Sequence, residues 1–110
     1  MKVRNRVKKT EEFQELIHSG KKLANESFVL YYAPRRTDQS RWGISLSKKI
    51  GCAVDRNRYK RQVRMMILET VPFADCAYDG VLILRLGYRS KAYADNKKNL
   101  EKLLSKGTIV

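Results

Sequence analysis

KKIGCAVDRNRYKRQVR, residues 48 to 64, is the stretch on which the reading of this chain turns. Laid out at about 100° per residue from Arg56, the side chains of Tyr59, Val63, Met66 and Ile67 fall within an arc of roughly 100°. Arg56, Asn57, Lys60, Arg61 and Arg64 fill the adjoining arc of roughly 140°, and Arg58 points elsewhere. The spacing therefore predicts a helix from about residue 55 to 69, stopped before Pro72. One stripe of it is apolar enough to pack on another layer. Its neighbour offers guanidinium groups, an ammonium and an amide to a partner. No carboxylate lies between Asp55 and Glu69 to neutralise that stripe. Guanidinium forks grip phosphate oxygens in pairs, and an amide both donates to and accepts from a sugar or base edge.

What flanks this helix sets the fold class. From Ser27 to Ala33 the run SFVLYYA is aromatic and β-branched, a strand closed by Pro34 and a polar turn. RWGISLSK, from Arg41, alternates large apolar residues with small ones, the period of a half-buried strand. The turn between the two predicts a hairpin, and a short third strand is expected at Lys48 to Ile50. Upstream, Thr10 can cap a helix with Glu11 and Glu12 in its first turn, Phe13, Leu16 and Ile17 on one face, and Gly20 past its end. Downstream, GVLILRL from Gly80 is a continuous apolar run, hence a central strand. A last helix, about Tyr93 to Ser105, turns Leu100, Leu103 and Leu104 inward. The order αβββαβα describes one α+β domain, a small α-β sandwich spanning residues 1–110, with residues 1–9 as a flexible basic arm.

Composition narrows the function. Twenty-four Lys and Arg against 11 Asp and Glu give a net charge of +13, yet 43% of the residues are hydrophobic, enough for a core. A compact domain so charged suits a polyanion. A membrane surface suits it less, because no long apolar span or basic amphipathic anchor is present. The N-terminus lacks the apolar stretch of a signal peptide, so Cys52 and Cys76 read as reduced thiols and the chain as cytoplasmic. Neither cysteine has metal-ligand spacing, and His18 is the only histidine, which argues against a zinc site. A two-metal phosphodiesterase needs several converging carboxylates, and none are spaced for it. Glu11 and Glu15 read as dipole compensation, and His18 as a surface residue.

The same 48–64 segment resembles the signature of the bacterial ribonuclease P protein family, in which a Lys-Lys-x-Gly-x-Ala-Val loop leads into an Arg-Asn-Arg-x-x-Lys-Arg helix. RNRVKKTEEF, FVLYY and VLILR resemble other segments of that family, so the likeness spans about residues 4 to 105. It implies a ribosomal-protein-like fold with a left-handed βαβ crossover around the basic helix. It also implies a subunit that assembles with a large catalytic RNA and helps it trim the 5′ leader from precursor tRNA. Mg²⁺ would be held mainly by the RNA, the catalysis would be the RNA's, and no obligatory protein partner or membrane is expected. Contact with the catalytic RNA would fall to Arg56, Asn57, Arg58, Lys60 and Arg61, with Lys48 and Lys49 in the loop and Arg64 added by its place on the arc. The basic arm would contribute Arg4, Arg6, Lys8 and Lys9. A cleft for the single-stranded leader would be lined by Phe13, Ile17 and Tyr31, with Gly43 and Ser45 leaving room for nucleotides. Two positions depart from the family pattern: Cys52 replaces a polar or basic residue, and Ile17 an aromatic. A ribosomal or other translation-associated RNA-binding protein would share the charge and size. A helix-turn-helix module would need two adjacent helices, and here the basic helix follows a strand.

Overall fold

A computed structural model describes residues 6–7 and 10–109. Helix α1 (Thr10–Ser19) leads into strands β1 (Lys21–Ala24), β2 (Phe28–Pro34) and β3 (Trp42–Ser45). A 3-10 turn (Lys48–Ile50), helix α2 (Ala53–Thr70), strand β4 (Tyr78–Leu84), a short helix α3 (Leu86–Arg89) and helix α4 (Tyr93–Lys106) complete the order. The four strands form one sheet in the order β1-β2-β4-β3, antiparallel except for the parallel β3–β4 pair. The domain is α+β, as its sequence predicts, and α2 is the crossover between the two parallel strands.

The expected hairpin of the second and third strands does not form, because β4 lies between them. A strand as apolar as VLIL is buried on both faces only in the middle of a sheet. Four-residue β3 is left to the edge. The polar turn accordingly crosses the start of β4, with Arg35 N–H donating to Ala77 O and Ser40 N–H to Phe73 O, both at 2.9 Å. Nor is Lys48 to Ile50 a strand. Its bonds run three residues back, Ile50 N–H to Ser47 O at 3.1 Å and Gly51 N–H to Lys48 O at 3.4 Å, while Ile50 is buried and both lysines stay exposed. The remaining strand is β1, KKLA, which pairs with β2 from Lys21↔Tyr32 to Ala24↔Val29.

Alternation along the strands gives the sheet two unlike faces. Phe28, Leu30, Tyr32, Trp42, Leu82 and Leu84 face the core, where Tyr59, Val63, Met66 and Ile67 of α2 meet Leu100, Leu103 and Leu104 of α4. Burying one such side chain contributes about 1.5–3 kcal/mol, so this layer holds the domain together. Tyr88 joins three elements in it, its ring meeting Phe28 at 5.6 Å and Tyr59 at 5.2 Å, both edge to face. The opposite face carries Val29, Tyr31 and Ala33 of β2, Asp79, Val81 and Ile83 of β4, and Gly43 and Ser45 of β3. Helix α1 lies on this side, against β2 and β4. Part of the N-terminal arm is tied down beside β3: Arg6 bridges Trp42 in parallel, and Val7 N–H donates to Trp42 O at 3.1 Å. Arg4, Lys8 and Lys9 lie outside the described residues.

Candidate RNA interface

On α2 the buried side chains are Tyr59, Val63, Met66 and Ile67, the apolar arc expected from the spacing. Fixing that arc in the core turns the basic arc outward. Arg56, Lys60 and Arg64, each one turn from the next, are half-buried along the core's margin, while Asn57 and Arg61 are exposed. Among the described residues no carboxylate pairs with Arg56, Lys60, Arg61 or Arg64. Arg58 differs: its guanidinium lies 3.6 Å from Asp55 and 5.2 Å from the centre of the Tyr59 ring. Of the motif's cations it alone has a carboxylate partner among the described residues. Lys48 and Lys49 stand exposed on the 3-10 turn that enters α2, so the structure brings the whole predicted RNA-facing set onto one helix and its approach. Cys52 is exposed at the helix start with its Sγ 3.4 Å from Asp55 Oδ2; Cys76 is buried, and both are free thiols.

The predicted leader cleft is assembled less completely. Phe13 does reach Gly43: a Cβ added there would lie 2.5 Å from Phe13 Cζ. Gly43 is therefore a seat for the ring, not open room for nucleotides. Leu16 lines a small gap with Ala33 and Asp79, and Arg41 bridges Glu12 at 2.9 Å and Asp79 at 3.8 Å. These contacts place α1 over the half of the sheet where β3 and β4 begin. Val29, Ile83 and Ser45 form the next row of this face, and Tyr31 lies level with Gly43 two strands across; all but Gly43 are half-buried, and Lys22 Nζ stands 6.0 Å from the Tyr31 ring centre. Ile17 is half-buried on the same face of α1 as Phe13. Tyr31, Ser45, Phe13 and Ile17 thus share one side of the sheet. Lys22 is a cation that residue patterns alone do not single out. Its place becomes visible only once KKLA proves to be a strand in register with Tyr31.

The carboxylates are engaged elsewhere. Glu15 pairs with Arg36, Glu26 with Lys91 and Glu69 with Lys97, and in each case the hydrogen bond from the cation holds the carboxyl below its ordinary range. Among the described residues no three His, Cys, Asp or Glu side chains converge on a point where a metal ion could sit.

Residues 1–108 match the family model described as Ribonuclease P. A Bacillus pumilus protein named "Ribonuclease P protein component" is 40% identical over 110 residues, 99% of this chain and 92% of that one. A Mesoplasma florum protein of the same name is 40% identical over 105 residues, 94% and 96% of the two chains. The structure of the Staphylococcus aureus RNase P protein superposes with a TM-score of 0.86 at 32% identity, covering 96% of each chain. The RNase P protein from Thermotoga maritima superposes at 0.80 with 29% identity, covering 92% of this chain and 96% of that one.

Proposed function

The chain belongs to the ribonuclease P protein family, and from that premise we propose that it is the subunit that assembles with ribonuclease P RNA to remove the 5′ leader from precursor tRNA. The observation that carries this reading is the row Arg56, Lys60 and Arg64, set along one margin of α2 without a carboxylate partner among the described residues. Such a row is destabilised by its own repulsion until an anion neutralises it, and RNA phosphates at helical spacing do so. The protein's part is binding. Its basic helix meets the catalytic RNA, and the sheet face carrying Tyr31 and Ser45 receives the single-stranded leader. A tyrosine ring accepts any base on its face, which suits leaders of varied sequence.

Hydrolysis belongs to the RNA, and the Mg²⁺ it requires is held mainly there; among the described residues no three His, Cys, Asp or Glu side chains converge on one point. The protein lowers the Mg²⁺ requirement by neutralising phosphates that would otherwise need ions. It works in the cytoplasm and needs no second protein. No described helix is long and apolar enough to cross a membrane. Nothing observed favours a ribosomal role. The test is reconstitution at low Mg²⁺ with ribonuclease P RNA and precursor tRNA. Leader removal faster than with RNA alone supports the reading, and an unchanged rate over a range of protein concentrations overturns it.

A further inference from the structure

The outermost stripe of α2 is not simply basic. Val54, Asn57, Arg58, Arg61, Met65 and Leu68 share an arc of roughly 100°, next to the row of Arg56, Lys60 and Arg64. Val54, Met65 and Leu68 are 75%, 51% and 46% exposed, so three of the four large apolar side chains exposed among the described residues stand on this one helix. Met65 and Leu68 are three residues apart and therefore adjacent. Arg61 precedes Met65 by four residues and Arg64 precedes Leu68 by four, so each apolar group has an arginine one turn before it. The nearest carboxylate along the helix, Glu69, is bound to Lys97 and Tyr93 of α4.

Two apolar groups flanked by unpaired guanidiniums fit a partner that offers flat apolar faces and negative charge at short intervals. A nucleotide has both. A second copy of this chain, at +13, would bring the wrong charge. We propose that Met65 and Leu68 form a docking patch for an unpaired base of the catalytic RNA, with Arg61 and Arg64 on the phosphates beside it. The RNA footprint of α2 then reaches nearly three turns beyond the Arg-Asn-Arg motif and gains an apolar contact. The inference rests on the reading of α2 as an RNA-binding helix.

The two kinds of contact separate by their salt dependence, because a base docking on a thioether or isobutyl group releases no counterions. The experiment titrates ribonuclease P RNA with the full-length protein at several salt concentrations. A Met65→Ala, Leu68→Ala double variant should bind about tenfold more weakly, as expected when roughly 55 Å² of apolar contact is lost, with an unchanged slope of log affinity against log salt. A Met65→Leu, Leu68→Met variant, apolar at both positions, should bind like the wild type. Arg61→Ala should lower affinity and flatten the slope. Wild-type affinity in the alanine double variant overturns the proposal. So does altered self-association, or altered binding to anionic phosphatidylglycerol vesicles, with RNA affinity unchanged. If Arg61→Ala and Arg64→Ala also leave RNA affinity unchanged, the reading of α2 itself fails, which distinguishes the two failures.

Discussion

Gly43 and Phe13 share a space that holds only one of them: the ring occupies the volume where any larger residue at 43 would place its side chain. Gly43→Ala must push the ring aside and loosen α1, and should cost about 1 kcal/mol, read as a lower midpoint in thermal melts. Tyr31 stands on the same face but away from the packed core, so its removal tests function more cleanly. Tyr31→Ala should weaken holoenzyme binding of precursor tRNA by about 1–3 kcal/mol and leave mature tRNA, which has no leader, almost unaffected. Equal losses on both substrates would assign Tyr31 to the fold or the RNA subunit. Tyr88 belongs to the core instead. Its hydroxyl donates to Gln62 Oε1 at 2.7 Å, and burial pushes its ionisation well above the ordinary tyrosine value. The raised group stays protonated in the folded state, while the unfolded chain ionises near pH ~10. Its contribution is therefore complete below about pH 10 and is lost as pH rises further. Tyr88→Phe should cost about 1 kcal/mol at neutral pH and flatten the fall of stability above pH ~10 in denaturant titrations.

Helix α2 shows how far an element is legible in a sequence. Its apolar arc, its basic arc and its stop before Pro72 follow from the 3.6-residue period and from proline's missing N–H, and burial agrees residue by residue. Each of Arg56→Ala, Lys60→Ala and Arg64→Ala should reduce RNA affinity and flatten the slope of log affinity against log salt by roughly one unit. Arg58→Ala should change it less, since Asp55 already shares that charge. Unchanged slopes in the first three would rule out the phosphate contacts. Periodicity carries less in short elements. KKLA has one partly buried residue in four, so its strand character comes from pairing with β2 and not from any pattern of its own. KKI, shorter still, has a single apolar anchor, and Ile50 is buried as well from a 3-10 turn as from a strand. The cleft is legible in its residue types but not in its spacing. That Phe13 fills the place over Gly43 depends on where α1 crosses the sheet, a tertiary fact with no local signal.

Across the whole molecule, three of the ion pairs that join segments distant in sequence lower the carboxyl's pKa: Glu15 with Arg36, Glu26 with Lys91 and Glu69 with Lys97. Each carboxyl lies below its ordinary range when folded, so its contribution is present above the unfolded value near pH ~4.3 and is lost as pH falls through the folded value. Acid also adds charge to a chain already at +13. The melting midpoint should stay nearly level from pH 8 to about 5 and drop below pH ~4, more steeply at low salt than at high salt, where repulsion is screened. A midpoint unchanged down to pH 3 at low salt would count against both causes. The sheet order has a consequence for how the protein is made. β4, which joins the β1–β2 pair to β3, is encoded in the last third of the chain, at Tyr78–Leu84. A nascent chain therefore contains every cation of α2 before the strand that closes the sheet has been synthesised. For that interval it is an unfolded basic segment beside ribosomal RNA, and its folding waits on the synthesis of β4.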